Sequence, residues 1–327
     1  MEQTVRFAVM ADLHMDIMHD GEQRIASFLE AAQAADVDFI LSLGDFLYPT
    51  RACSSLCSPD ALPVNLRLAL EHPHEPQLHV LQMFNQFEKP AYHVMGNHEM
   101  DFCTKQAVME AYGINCTYYA WHTNGWHFIV LDSSFYRDHD GILRDYDRSV
   151  YFETNDLPYL SDEQLHWLED ELKSCDEPAV ICSHQPLCHC KRGIKNADAF
   201  QEILRKANSV QKKVYLCLNG HIHIDNLQTE EGVLYYTVNS ISNLWMGQPY
   251  SALHYSPEIH EQHPSLCFVA PYQSPLYAVI DLNRTGITVT GKQGKFVPPA
   301  PAQLGWTGPA SPSIQSWSKL WEDIIPY

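Results

Sequence analysis

Nearly all the chemically distinctive polar residues of this 327-residue chain fall in five short blocks, and four of these stand at the end of an apolar run of strand character. The runs cover residues 5–12, 37–45, 91–96, 126–132, 179–184 and 213–220. Between them lie segments of helical character at 22–35, 78–87, 104–112, 161–174 and 196–208. Short strands alternating with helices specify an α/β protein. In an open α/β sheet, sites form where the carboxyl ends of strands leave the sheet, so blocks placed there have a structural reason to converge. From Val233 the pattern changes to strands alone, at 233–238, 276–282 and 287–290, the last two joined at Asn283-Arg284-Thr285-Gly286.

The segment 161–174 carries the clearest helix signal. Ser161 can accept from the backbone of Gln164 while Gln164 reaches back, and Leu165, Leu168 and Leu172 recur on one face. Three stretches rich in Pro, Ser, Gln and aromatics, 49–77, 243–275 and 297–327, match no regular element. The first two are long for loops of a compact domain and fit either a lid over a site or a surface insertion. The chain therefore reads as one catalytic domain over 1–296 with insertions at 49–77 and 243–275. A tail over 297–327 would dock on it through Trp317, Leu320, Trp321 and Ile324.

Charge narrows the partners. Forty acidic against 21 basic residues leave a net charge of −19, which repels nucleic-acid backbones and anionic lipid surfaces. No basic leader and no apolar run of membrane-spanning length is visible, so a cytoplasmic protein without a membrane segment is expected. In that compartment the ten cysteines are expected to be free thiols. Cys182 and Cys217 sit in strand-like runs as small hydrophobes, whereas Cys53, Cys57, Cys188 and Cys190 fall in loops.

The five blocks are Asp12-Leu13-His14, Gly44-Asp45, Gly96-Asn97-His98-Glu99, His184, and Gly220-His221-Ile222-His223. Residues two apart, as in Asp12 and His14 or His221 and His223, emerge on one face if the strand continues. Together the blocks offer carboxylate, amide and imidazole donors without a thiolate. That is too many for one tetrahedral zinc and suits two borderline metal ions sharing a carboxylate. Gly44, Gly96 and Gly220 each precede a candidate ligand, where the lack of Cβ permits close backbone approach.

The ordered set Asp-x-His, Gly-Asp, Gly-Asn-His-Glu, His and Gly-His-x-His, across residues 12–223, resembles the calcineurin-like metallophosphoesterase family. Two weaker features agree: Gln164-Leu165-x-Trp167-Leu168 and Leu131-Asp132-Ser133. The resemblance implies a four-layer αββα sandwich, two mixed β-sheets face to face with helices outside, around a dinuclear centre of Mn, Fe or Zn. One metal would be held by Asp12, His14, Asp45 and His223, and the second by Asp45, Asn97, His184 and His221, with Asp45 as the bridge. A water bridging the two ions would attack phosphorus in line. His98 would stabilise the developing charge or protonate the leaving oxygen, and Glu99 would orient it or its neighbours.

Gly44-Asp45-Phe46-Leu47-Tyr48 is also similar to the block of purple acid phosphatases whose tyrosine binds ferric iron, but with His14 present Tyr48 is expected to support or pack rather than ligate. The implied reaction is hydrolysis of a small phosphoester, with a lean toward diesters such as cyclic nucleotides and phosphomonoesters as the alternative. A metal-binding scaffold without activity is the reading from another class. Lys191 and Arg192 are candidates to grip a substrate phosphate. His122, His127, His189, His254, His260 and His263 are further candidate contacts, as are the aromatics Trp245, Tyr250 and Tyr255.

Overall fold

The computed structural model describes residues 4–46, 78–101, 104–146 and 154–324. Tyr48, Cys53, Cys57 and the 49–77 insertion lie outside them. The chain begins β1 (Val5–Met10), α1 (Gly21–Ala34), β2 (Phe39–Ser42), α2 (Leu78–Asn85), β3 (Ala91–His93), α3 (Lys105–Tyr112). It continues β4 (Tyr119–Thr123), β5 (Trp126–Val130), β6 (Phe135–Arg137), β7 (Leu143–Asp145), α4 (Asp162–Ser174), β8 (Ala179–Cys182), α5 (Ala197–Asn208), β9 (Val214–Asn219). The remainder is β10 (Asn226–Glu230), β11 (Val233–Thr237), β12 (Asn243–Trp245), α6 (Pro257–Gln262), β13 (Val269–Pro271), β14 (Ala278–Leu282), β15 (Gly286–Thr290) and β16 (Trp317–Leu320).

Two six-stranded mixed sheets form, in the orders β16-β15-β14-β1-β2-β3 and β10-β11-β9-β8-β5-β4. In the first, β1, β2 and β3 are parallel and β14 runs antiparallel to β1. In the second, β5, β8, β9 and β11 are parallel, with β4 and β10 as antiparallel edges. The period-2 alternation of side chains decides the layering. Val5, Phe7 and Val9 of β1 point between the sheets, where they join Phe128, Val180 and Leu216 of the second sheet. Ala8 and Met10 of the same strand point the other way, onto Phe28 of α1, Phe84 of α2 and Val108 of α3. On the far side, Ile129 and Ile181 pack on Leu168 and Leu172 of α4 and Phe200 of α5. The result is the expected four-layer αββα sandwich.

Some local expectations change. The 243–275 stretch is not irregular throughout: β12 pairs with β13, and α6 lies between them. In the 297–324 segment β16 extends the first sheet beside β15, and Trp321 and Ile324 are buried in the inter-sheet core while Leu320 stays largely exposed. The cap of α4 is half of what the sequence suggests. Ser161 Oγ accepts from Gln164 N at 3.1 Å, but Gln164 does not reach back. Its amide instead clamps the backbone of Asp132, accepting from the N–H at 2.7 Å and donating to the carbonyl at 2.8 Å. The two weaker sequence features are thus one contact, which ties α4 to the end of β5.

Asp132 itself is fully buried, and its carboxylate receives Lys105 Nζ at 2.6 Å. The same ammonium donates to Asp145 at 2.7 Å and to the Ser134 carbonyl at 3.0 Å. Lys105→Met strands a buried carboxylate, so a destabilisation of about 3–5 kcal/mol is expected. Urea unfolding should show a lower midpoint at unchanged slope; an unmoved midpoint would contradict this.

Candidate metal centre

The loops that follow β1, β2, β3, β8 and β9 meet at one end of the sandwich, where the two sheets face each other. Beyond β1 and β2 the pairing continues as three loop hydrogen bonds, from Asp12 N to Gly44 O at 2.9 Å, His14 N to Asp45 O at 3.0 Å and Met15 N to Phe46 O at 3.1 Å. Asp12 and His14 share a direction, but not because the strand runs on. Both have left-handed backbones, with φ of 55° and 51°, as do Asp45 at 53°, His221 at 67° and His223 at 54°. Only three other non-glycine residues among those described have positive φ. Such conformations cost about 1–3 kcal/mol each and concentrate at functional sites. A Cβ on Gly96 would collide with the Asp45 carboxylate, and one on Gly220 would lie 2.7 Å from Asp12 Oδ2. Those two positions admit only glycine.

Two clusters result. One nitrogen or oxygen each from Asp12, His14 and His223 lie within 4.8 Å of one another, and the same holds for Asp45, His184 and His221. The tautomers follow from fixed acceptors: His184 Nδ1 donates to the Leu43 carbonyl at 2.8 Å and His223 Nδ1 to the Asn243 carbonyl at 2.9 Å. In the neutral rings each Nε2 then presents a lone pair to the cluster. These lone pairs face other ring nitrogens. His223 Nε2 is 3.3 Å from His14 Nε2, and His184 Nε2 is 3.2 Å from His221 Nδ1. Asn97 Oδ1 is buried with no hydrogen-bond partner. Asp45 joins the clusters, its Oδ2 lying 3.0 Å from His184 Nε2 and 3.8 Å from His14 Nε2.

The charges show what such a place needs. Asp12 and Asp45 are buried and Asp16 is partly buried, and among the described residues none of them pairs with a lysine or arginine. Burial pushes Asp45 up, yet His184, His98 and His14 outweigh it and hold the carboxyl well below its usual range. Burial likewise opposes a charged His184, but Asp45 and Asp12 draw it up to about 9, while burial and the facing His184 push His221 down to about 3. Facing nitrogens and buried carboxylates of this kind are the donor set of divalent cations, and the residues fit the two ions expected from the sequence.

His98 stands beside the clusters. Its backbone N–H donates to Asp45 Oδ1 at 2.8 Å, and its Nδ1 lies 2.7 Å from Asp101 Oδ2. Burial lowers the His98 pKa, but Asp101, Asp45 and Asp16 outweigh that and draw it up to about 10. The Nδ1 of the ring is thus held by Asp101. Glu99 accepts from the backbone N–H groups of Asp45 and Phe46 at 3.2 and 2.9 Å and from the Tyr112 hydroxyl at 3.2 Å, so it holds the loop that carries Asp45. Burial and the charge of Asp45 push Glu99 up to about 8. Sequence reasoning missed Asp101 and Asp16, the latter 3.5 Å from His14 Nδ1. The signal was present for Asp101: it lies three residues after His98, across one 3-10 turn. Asp101→Asn is expected to leave metal content unchanged and to lower kcat by about 10- to 100-fold, because the ring loses its orienting charge. Unaltered kcat, read by steady-state kinetics, would contradict that.

Other sequence candidates separate. Trp245 is partly exposed, and its ring lies 5.7 Å from that of His98 at 24° and 5.9 Å from that of His14. Tyr250 instead packs on Trp306, and Tyr255 on His19. Lys191 and Arg192 are exposed, and the Arg192 charge is felt at His221. His189 is held between Glu230 and Asp198. His254 and His260 are buried against each other, and His263 lies beside His19. His122 and His127 stand at the other end of the second sheet.

Among the described residues no helix is long and apolar enough to cross a membrane. No curated protein matches the sequence. The structure is similar to a dimetal phosphatase from Danio rerio, at 14% identity and a TM-score of 0.58, covering 90% of this chain and 98% of that one. It is also similar to GAP50, the anchor in the inner membrane complex of Plasmodium, at 14% identity and a TM-score of 0.50 over 90% and 87% of the two chains. These likenesses are of fold. The sequence profile of the calcineurin-like phosphoesterases matches residues 5–225, a span that contains every block of the site. The chain belongs to the calcineurin-like phosphoesterase family.

Proposed function

We propose that the protein hydrolyses a small phosphoester at a dinuclear metal centre, with diesters favoured over monoesters. The observation that supports this most is the meeting of the two clusters at Asp45, whose Oδ2 lies near both His14 Nε2 and His184 Nε2. Asp12, His14 and His223 would hold one ion with Asp45. Asn97, His184 and His221 would hold the other with the same carboxylate. When bound, such a pair of ions ionises water near neutral pH and takes up charge on the phosphoryl oxygens.

The protein's own groups do the rest. Asp101 fixes the proton of His98 on Nδ1, which leaves Nε2 for the leaving oxygen. Trp245 offers an aromatic face beside that ring, suited to a planar leaving group. Arg192 supplies positive charge on the opposite flank, near His221. The competing scaffold reading requires neither His98 nor its buried Asp101.

Hydrolysis of bis-p-nitrophenyl phosphate and p-nitrophenyl phosphate by metal-stripped protein, re-supplied separately with manganese, zinc and iron, tests the proposal. Metal-dependent turnover, greater on the diester, is the expected outcome. Greater turnover of the monoester would reverse the preference, and bound metal with no turnover of either compound would favour the scaffold.

A further inference from the structure

At the far end of the second sheet, β4 and β5 form a hairpin that turns at Asn124-Gly125, both with left-handed backbones. His122 and His127 are directly opposite one another across it. Their rings stack at 4.4 Å and 14°. Cys175, the C-cap of α4, brings its Sγ to 3.4 Å from His127 Nδ1. One nitrogen of each ring and this sulfur all lie within 4.8 Å of one another.

The surroundings carry two carboxylates. Glu177 Oε2 lies 2.6 Å from His122 Nδ1. Glu171, one helical turn before Cys175, places Oε1 3.0 Å from His127 Nε2. This contact is at ion-pair distance without full hydrogen-bond geometry, and the His127 ring that makes it is only 1% exposed. Burial and the neighbouring His122 keep His127 toward its neutral form, the form that ligates.

From this geometry we propose that Cys175, His127 and His122 form a second, separate site for a thiophilic divalent ion of the zinc type, with solvent in the fourth position. A nitrogen and a sulfur bound to one tetrahedral zinc, at about 2.0 and 2.3 Å from it, are about 3.5 Å apart, close to the separation found here. Glu171 then serves as the carboxylate on the far nitrogen of a ligating histidine. Binding requires the His122 ring to turn out of its stack on His127, a motion open to a side chain that is 51% exposed. The Cys175 thiol gives up its proton to solvent as the metal–sulfur bond forms. Imidazole with thiolate selects zinc or cobalt over manganese, magnesium and calcium. The ion would clip an edge hairpin to the end of α4. β5 runs from Trp126 beside this site to Val130 at the metal-centre end, so the two sites lie about 13 Å apart along the sheet. It therefore stands independently of the phosphoesterase proposal.

Cobalt tests it, because a thiolate ligand gives Co²⁺ an intense near-ultraviolet charge-transfer band that the all-nitrogen-and-oxygen centre cannot produce. Metal-stripped wild-type protein and Asp45→Asn, which is expected to lose the central pair, are each titrated with Co²⁺, with circular dichroism as a check on folding. In Asp45→Asn the band should rise and saturate at about one equivalent per chain, and in wild-type protein it should reach the same height by about three equivalents, when the central pair is filled as well. In Cys175→Ser the band should vanish while metal-dependent phosphoester turnover is retained. A band that survives Cys175→Ser places the thiolate elsewhere and overturns the proposal. Absence of the band in folded wild-type protein reduces the Cys175–His127 contact to an ordinary hydrogen bond and overturns it equally.

Discussion

Asp45→Asn is expected to abolish binding of both central ions and to lower phosphoester turnover by at least about 10³-fold, the equivalent of about 4 kcal/mol of transition-state stabilisation. The size follows from the position of one carboxylate. Its Oδ1 accepts from the His98 backbone, whereas Oδ2 faces His184 and His14 from the two clusters. Asparagine keeps an oxygen for the first task, so the loop is expected to hold. At the second it presents an uncharged amide, and the facing imidazoles lose the anion that both clusters share. Elemental analysis and turnover should fall together while the unfolding midpoint changes little. Retention of both metals would remove Asp45 from the bridging role.

His98→Asn is expected to separate the two properties: both metals stay, and kcat falls by about 10²- to 10⁴-fold. His98 contributes its backbone N–H, which the substitution preserves, and its ring pairs with Asp101 and lies edge-on to His14. An asparagine amide can still donate to Asp101, so the buried acid keeps a partner, yet it has no proton to give a leaving oxygen. Near-native kcat in this variant would take the catalytic role from His98 and leave it a structural one.

The α/β class and the convergence of the blocks were legible because strand runs and strand ends are local properties of the sequence, whereas the four-layer order followed only from the family resemblance. The sorting of Val5, Phe7 and Val9 to one face and Ala8 and Met10 to the other emerged only in the structure, because both faces of β1 are apolar. The means of convergence was not legible. Five ligand candidates adopt left-handed backbones that no propensity of aspartate or histidine announces at this strength, and the contacts from both loops and the second sheet over-determine them. Asp101 and Asp16 were missed for another reason. Each acts through a neighbour in a turn, and an acidic residue in a turn is usually solvated. Gln164 was visible but assigned a local partner, because a capping box is a short-range rule and its actual partner, Asp132, is 32 residues away. The segments 243–275 and 297–324 resisted reading since their strands are three or four residues long and their pairing is supplied by distant strands.

Manganese reports whether two ions share Asp45. Metal-stripped protein re-supplied with Mn²⁺ is analysed for bound manganese and by electron paramagnetic resonance. Two ions about 3.5–4 Å apart under one bridging carboxylate are magnetically coupled. The prediction is two Mn²⁺ per chain with the spectrum of a coupled pair, and neither bound in Asp45→Asn. A single ion, or two that give only the spectrum of isolated Mn²⁺, would contradict the account.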